Sequence, residues 1–463
     1  MIASESHMLP ILNRARSTEK AAEVLEPGHS IVIVGGGAGG IQLATRLGDK
    51  MRKSGEARVI LVDRAAAHLW KPLLHEVAAG SMDANTHQLE YAAQARWHHF
   101  EFQQGSLIGL NRTSKMVTIS AVDDEDGLEI LPQREVAYDT LVLSIGSETN
   151  FFGVPGAPEY TIAIDTVAQA ERFRRRMIAA CMRAQNRLGK SAGSDRPQVN
   201  IVIIGAGATG VELSAELRNT ATVLGAYGLH RLDPQRDISI TIIEAGPRIL
   251  GPLPERVAEE TANLLRNLNI RILVGEKVTE VQALAVLTAS GKTLPSDLTV
   301  WAGGIQVPKI LTEMGLPTNR LGQVIVSQTL QTIIDPDIFA LGDCASCPWP
   351  EKSTSVPPRA QAAQQQADLM YQSLHRRLAG KPLPVFHYRD RGSLVSLGRF
   401  DTIGNLMGKL IGSTLFVEGW IARILYVSLY RQHVVALHGF MRMVLDTLAQ
   451  WLHRKTSPRV KLH

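Results

Sequence analysis

Two hydrophobic strands, each running into a glycine-rich turn that opens a helix, predict an α/β protein built from two Rossmann-like dinucleotide-binding domains. A basic C-terminal stretch with apolar residues at helical spacing adds a membrane-associating helical region. At 463 residues and 45% hydrophobic content the chain can fill two or three cores. The expected division is an N-terminal extension (1–29), a first dinucleotide domain in two parts (30–165 and 306–400), a second such domain (166–305) and the C-terminal region (401–463).

The first strand is Ile31-Val32-Ile33-Val34, a β-branched run suited to a buried parallel sheet. In the turn that follows, Gly35 allows the reversal and Gly37 lets the backbone approach a pyrophosphate. Gly40 lets the helix, expected over Ile41 to Leu47, pack against the strand, and Ala38 and Gly39 complete the motif. The helix N-terminus presents N–H groups and a positive dipole end to phosphate. Asp63 closes the next run, Val59 to Val62, where a carboxylate can accept from a ribose diol. One such motif is weak evidence, since turns that hold nothing look the same. A second copy strengthens it: Ile201 to Ile204 leads into Gly205, Gly207, Thr209 and Gly210, and Ile240 to Ile243 ends in Glu244. An insertion between Leu217 and Asp237 makes this acid later than the usual spacing of about 20 residues. Glu244 would bond an adenosine ribose and repel a 2′-phosphate, which favours NADH over NADPH.

Between the two motifs, Trp70-Lys71-Pro72 predicts a loop, because the residue before proline avoids helical dihedrals. Tyr138 to Ser147 reads as a buried strand that brings Gly146 close to a ligand. Asp165 to Arg187 reads as a basic helix with Arg174, Arg175 and Arg176 on a solvated face. Leu298 to Ile305, with Gly304, is the counterpart of the strand that ends at Gly146, and Asp337 to Asp343 is a further strand ending in Gly-Asp. Three cysteines exclude a disulfide framework and suit a reducing compartment. Cys344 and Cys347 form C-x-x-C without a second pair or histidines at ligand spacing, so no metal is expected there.

The net charge of +5 is concentrated in the tail. From Asn405 onward eight lysines and arginines stand against two acids, which leaves the body near neutral. That distribution points to a local anionic surface rather than nucleic acid. Phe440, Met441, Val444, Leu445, Leu448, Trp451 and Leu452 share one helical face, opposite Arg442, Asp446, Ala449 and His453. Trp420, Ile421, Ile424, Leu425 and Val427 form an earlier stripe. No window reaches the roughly 18 uncharged apolar residues of a spanning helix. With Arg454, Lys455, Arg459 and Lys461 beyond it, this helix suits the interface plane of an anionic leaflet. A helix packed on the body, or on a second subunit in a homodimer, is the plainer alternative.

Three stretches carry a family likeness: His68 to Val77 (HLWKPLLHEV), Gly207 to Leu213 (GATGVEL), and Val356 to Gln365, which holds the Ala-Gln-x-Ala-x-Gln element. Together they resemble the bacterial type II NADH:quinone oxidoreductases, two-dinucleotide flavoproteins, from about Ser30 to the C-terminus. The resemblance implies non-covalent FAD on the Gly35 unit, with Gly146, Ala360 and Asp343 near it, Asp343 against the ribityl chain. Lys71 would lie near the flavin ring, a solvated surface lysine being its plainer reading. The resemblance further implies NADH on the Gly205 unit with Glu244 and Gly304. Gln361 and Gln365 lie four apart on one helix face and would line a quinone site, against the alternative of a polar helix surface. Arg359 stands where relatives carry a small residue. The acid matching Glu212 sits near the nicotinamide as a positioning residue or proton relay, with a structural role at the helix N-terminus as its alternative. The redox-active cysteine pair of flavin disulfide reductases is missing after Asp63. The activity implied is a peripheral enzyme on the cytoplasmic face of the inner membrane, passing electrons from NADH to a membrane quinone without pumping protons. A flavoprotein reductase of a protein electron carrier, and a non-catalytic flavin-bound sensor, are the other readings.

Overall fold

A computed structural model describes residues 28–188, 199–226, 232–397, 402–407 and 414–456. Most of the N-terminal extension and Lys409, Arg459 and Lys461 of the basic tail lie outside the described residues, as do the side chains of the 420–427 stripe and of 451–455.

The β-branched run forms the strand His29–Val34, central in a five-stranded parallel sheet. Across that sheet the order is Ile338–Ala340, Thr140–Leu143, His29–Val34, Ala57–Asp63 and Glu101–Gln104. Ile31, Val32 and Ile33 are fully buried, as expected for a strand covered on both faces. The last-numbered strand of the sheet comes from about 200 residues downstream, so the first domain is built from two separate parts of the chain. The helix after the glycine turn runs over Ala38–Ser54, longer than Ile41 to Leu47.

The second unit repeats the plan in the order Thr161–Ala163, Leu298–Trp301, Val199–Ile204, Ile238–Glu244 and Ile270–Val274, with its glycine-turn helix over Ala208–Ala226. Val167–Leu188 is helical as read, but Arg174 is buried, which corrects the solvated face. It lies four residues after buried Ala170 and three before buried Met177, so the helical period turns it inward while Arg175 and Arg176 stay exposed. The two units meet where Glu148–Thr149 pairs antiparallel with Ile305–Gln306, a two-stranded crossing between the domains.

Two local differences from the sequence reading matter for the site. The expected loop is a short 3-10 turn, Lys71–Leu73, that feeds the helix Leu74–Ala79; Trp70 is extended before it, and Lys71, the residue before Pro72, opens the turn. The region 401–463 is not helical throughout: Gly392–Ser396, Thr402–Met407 and Thr414–Glu418 form an antiparallel meander before the C-terminal helix Gly419–Thr456. That helix is broken at Gly439, whose φ of 77° and ψ of 168° are not helical.

Candidate functional site

The first glycine turn is closed by direct backbone contact. A Cβ on Gly40 would lie 1.9 Å from the Gly35 carbonyl oxygen, and one on Gly35, at φ +101°, would lie 2.3 Å from the Ser144 carbonyl oxygen. A Cβ on Gly37 would meet nothing within 4 Å, so the turn is open on the side where its backbone faces outward. No side chain caps the following helix and no acid sits in its first turn, which suits an anion there. Asp63 is committed to the turn itself: its carboxylate accepts from the Gly36 N–H (2.6 Å) and the Ala65 N–H (2.8 Å). Burial raises its pKa against those two donors.

The helix Ala360–Leu378 begins over this turn. A Cβ on Gly39 would lie 3.0 Å from the Ala363 carbonyl oxygen, and Gln366 accepts from the Gly342 N–H at 2.7 Å, directly before Asp343. The Asp343 carboxylate accepts from the Ser147 hydroxyl at 2.8 Å. Burial pushes this carboxyl up, opposed by the Ser147 bond and the Lys71 charge. Lys71 donates to the Ser147 carbonyl (3.0 Å) and pairs with Asp165 (2.9 Å). Burial would raise Asp165, but Lys71 and Thr149 outweigh it and hold it below its ordinary value. Gly146, at φ +72°, has open space where a Cβ would be. The first turn, Gly146, Asp343 and the start of the Ala360 helix thus come together, and their narrow backbone cradle beside an uncapped helix end fits FAD.

The second turn repeats the design. A Cβ on Gly210 would lie 2.1 Å from the Gly205 carbonyl oxygen, and Gly207 is open. Glu244 matches Asp63, accepting from the Ala206 N–H (2.8 Å) and the Gly246 N–H (2.7 Å). Gly304, at φ +73°, packs where a Cβ would strike the Phe152 ring.

Glu212 is buried among three elements. Its Oε1 accepts from the Ser396 N–H at 3.0 Å, and its Oε2 faces His75 Nδ1 at 3.6 Å. Burial pushes the Glu212 pKa up to about 8, aided by the charge of Glu76 and opposed by the Ser396 bond. Burial pushes His75 down to about 4. At neutral pH the carboxyl is therefore largely protonated and the imidazole neutral.

Gln361 and Gln365 both clamp one extended segment. Gln365 donates to the Arg389 carbonyl (2.9 Å) and accepts from its N–H (3.0 Å); Gln361 donates to the Gly392 carbonyl (3.0 Å) and accepts from the Arg391 N–H (3.1 Å). Arg359 pairs with Asp390 of the same segment at 3.3 Å. The strand Gly392–Ser396 therefore touches Gln361 at one end and Glu212 at the other, roughly 13 Å apart at about 3.3 Å per residue.

Sequence reasoning gave no role to His68 or His433. Their Nε2 atoms lie 2.9 Å apart, His433 stacks on Trp70, and His68 also hydrogen-bonds the Gly36 backbone. This contact docks the C-terminal helix onto the first turn, assisted by Gln94, which donates to the Leu437 carbonyl at 3.1 Å. Beyond Gly439, Phe440, Met441, Leu445 and Leu448 are exposed. Among the described residues, no helix is long and apolar enough to cross a membrane. Cys344 and Cys347 are buried thiols, pushed up to about 12 by that burial, which disfavours the thiolate that redox exchange needs.

Paired glycine cradles on two parallel sheets define a two-dinucleotide oxidoreductase. Residues 29–367 match the family model for pyridine nucleotide-disulphide oxidoreductases. A type II NADH:quinone oxidoreductase of Haemophilus influenzae is 41% identical over 444 residues, covering 94% of this chain and 100% of the relative. One from Staphylococcus saprophyticus is 26% identical, covering 82% and 90%. The fold matches NDH2 from Plasmodium falciparum solved with NADH, at a TM-score of 0.75 and 18% identity, over 94% of this chain and 100% of that one. The chain belongs to the type II NADH:quinone oxidoreductases: it is an FAD-dependent enzyme that oxidises NADH and reduces quinone.

Proposed function

We propose that the protein works as a peripheral enzyme at the cytoplasmic face of the inner membrane, with each cradle and side chain in a defined role. The Gly205 unit and Glu244 hold NADH, Gly304 flanking its nicotinamide end. The Gly35 unit, Gly146, Ala360 and Asp343 hold the flavin, and Lys71 places positive charge beside it. Bound there, FAD supplies a two-electron carrier between a hydride donor and a quinone. Gln361 and Gln365 line the quinone site; their amides hold the 389–392 segment at its wall, and an N–H not engaged there can turn to a quinone carbonyl without adding charge. Glu212 keeps a proton at the nicotinamide end for the reduction that follows. The exposed face of Phe440, Met441, Leu445 and Leu448 lies in the lipid interface, so that quinone enters from the membrane.

One observation supports this reading above the others: the strand Gly392–Ser396 ties a buried protonated carboxyl to the glutamine helix that closes over the flavin cradle. Rapid-mixing spectroscopy tests it. Purified protein should be yellow, bleach with NADH and recover its colour with a short-chain quinone. Gln361→Ala with Gln365→Ala should slow recovery on the order of tenfold or more, leaving bleaching at the wild-type rate. Recovery at the wild-type rate would remove both glutamines from the quinone site.

A further inference from the structure

His75 lies in the loop helix Leu74–Ala79 and is 4% exposed. Its Nδ1 is 2.8 Å from the Pro72 carbonyl oxygen. A carbonyl only accepts, so Nδ1 carries the proton, and the neutral ring keeps its lone pair on Nε2. The same Nδ1–H edge lies 3.6 Å from Glu212 Oε2, just beyond a hydrogen bond. His75 and Glu76 face Glu212 from the loop helix and the Ser396 N–H from the meander, while Glu216 follows one turn along its own helix. Of these, only His75 can gain a positive charge: burial holds its pKa at about 4 while Glu212 is neutral, and an ionised Glu212 at 3.6 Å would raise it.

We propose that His75 is the positioning residue for Glu212, a counter-ion held in reserve that keeps this buried pair electrically neutral through quinone reduction. The inference rests on Glu212 being the proton reservoir. Each quinone takes two electrons from NADH oxidation and two protons. When the Glu212 O–H bond breaks and its proton leaves toward the acceptor, a carboxylate remains inside the protein. His75 then takes a proton from water at Nε2, and the resulting imidazolium turns its Nδ1–H edge to Oε2. The cycle closes when the carboxylate takes one proton from solution and Nε2 gives one back, so that each turnover moves one proton net through Glu212 to the acceptor and Nδ1 keeps its own. Without the ring, the anion would stand beside Glu76 with the Ser396 N–H as its hydrogen-bond donor, and Glu212 would release its proton reluctantly.

Infrared titration of the holoenzyme reads the pair without turnover. The carbonyl band of the Glu212 carboxylic acid, assigned by its loss in Glu212→Gln, should disappear at a higher pH in His75→Leu, by about one unit or tenfold in its acid constant. His75→Asn keeps an N–H toward Pro72 and should move the midpoint less. In rapid mixing, both variants should bleach with NADH as wild type does. Both should recover their colour with quinone about tenfold more slowly, and the alkaline limb of recovery should move up with the infrared midpoint. Retained flavin identifies folded protein. An unmoved midpoint in both folded variants would overturn the inference and leave the quinone reading intact. Wild-type protein that bleaches yet never recovers with quinone would overturn that reading, and the use of the pair with it.

Discussion

The acids of this site are held by neighbours that the local sequence does not announce. Asp63 and Glu244 read as ribose ligands, yet each has a carboxylate already bonded to two backbone N–H groups of its own turn. Such bonds keep the turn in its ligand-ready shape before any nucleotide arrives. Glu212 has a different consequence, in stability. A carboxyl whose native pKa is raised from 4.5 to about 8 binds its proton more tightly when folded. Its contribution is complete below about 4.5 and is lost as pH rises toward about 8. His75, lowered from 6.5 to about 4, runs the other way, complete above 6.5 and lost as pH falls toward about 4. Glu212→Gln keeps an oxygen for the Ser396 N–H but cannot ionise. Its melting temperature should therefore fall less than that of wild type from about pH 5 to 8. Parallel declines would show that Glu212 does not titrate in that window. Residues of this kind are where the sequence was least legible. The glycines of both turns declare themselves within ten positions, whereas His68 meets His433 across 365 residues and Glu212 meets Ser396 across 184.

At the scale of elements, legibility follows the distance over which the shaping contacts act. Strand, turn and helix are encoded together in each nucleotide unit, so both read correctly, and only the helix length was underestimated. The meander from Gly392 to Glu418 has short strands with mixed polarity, whose pairing is fixed by one another and by the C-terminal helix, and it was not foreseen. The break at Gly439 is a local signal of a subtler kind. Its dihedrals lie in a region that only glycine occupies without strain, and they turn the helix after His433 and Leu437 have docked it. Gly439→Ala would carry a strain of about 1–3 kcal/mol in the bent form. The helix should straighten, aiming Phe440 and Met441 away from their present plane. Sedimentation with anionic vesicles should then recover less of the variant than of wild type, at equal flavin content. Equal recovery would mean that the bend does not set the membrane-facing plane.

The whole molecule combines two nucleotide units, a two-stranded crossing between them and a C-terminal helix docked on the first unit and the meander. Glu148–Thr149 and Ile305–Gln306 bring together the chain just after the strands Thr140–Leu143 and Leu298–Trp301, so the turn at Gly146 and the turn at Gly304 lie near one another. The C-terminal helix meets the first glycine turn through the His433–His68 contact to the Gly36 backbone. On the proposed function, membrane attachment and flavin binding should be separable: the helix is docked up to Leu437, and the apolar residues beyond Gly439 are exposed. Leu445 and Leu448 are 62% and 53% exposed, so acidic replacements there disturb no core. Leu445→Glu with Leu448→Glu should release the protein from vesicles of mixed phosphatidylcholine and phosphatidylglycerol. The variant should stay yellow, bleach with NADH and turn over a water-soluble short-chain quinone at the wild-type rate, while losing turnover of a long-chain quinone embedded in the vesicles. For wild type, vesicle binding should weaken as salt rises through about 0.1–0.15 M, where the screening length falls to about 8–10 Å, because the tail's positive charge acts on the lipid from outside. A double variant that binds vesicles as tightly as wild type would place the membrane contact on another face of the molecule.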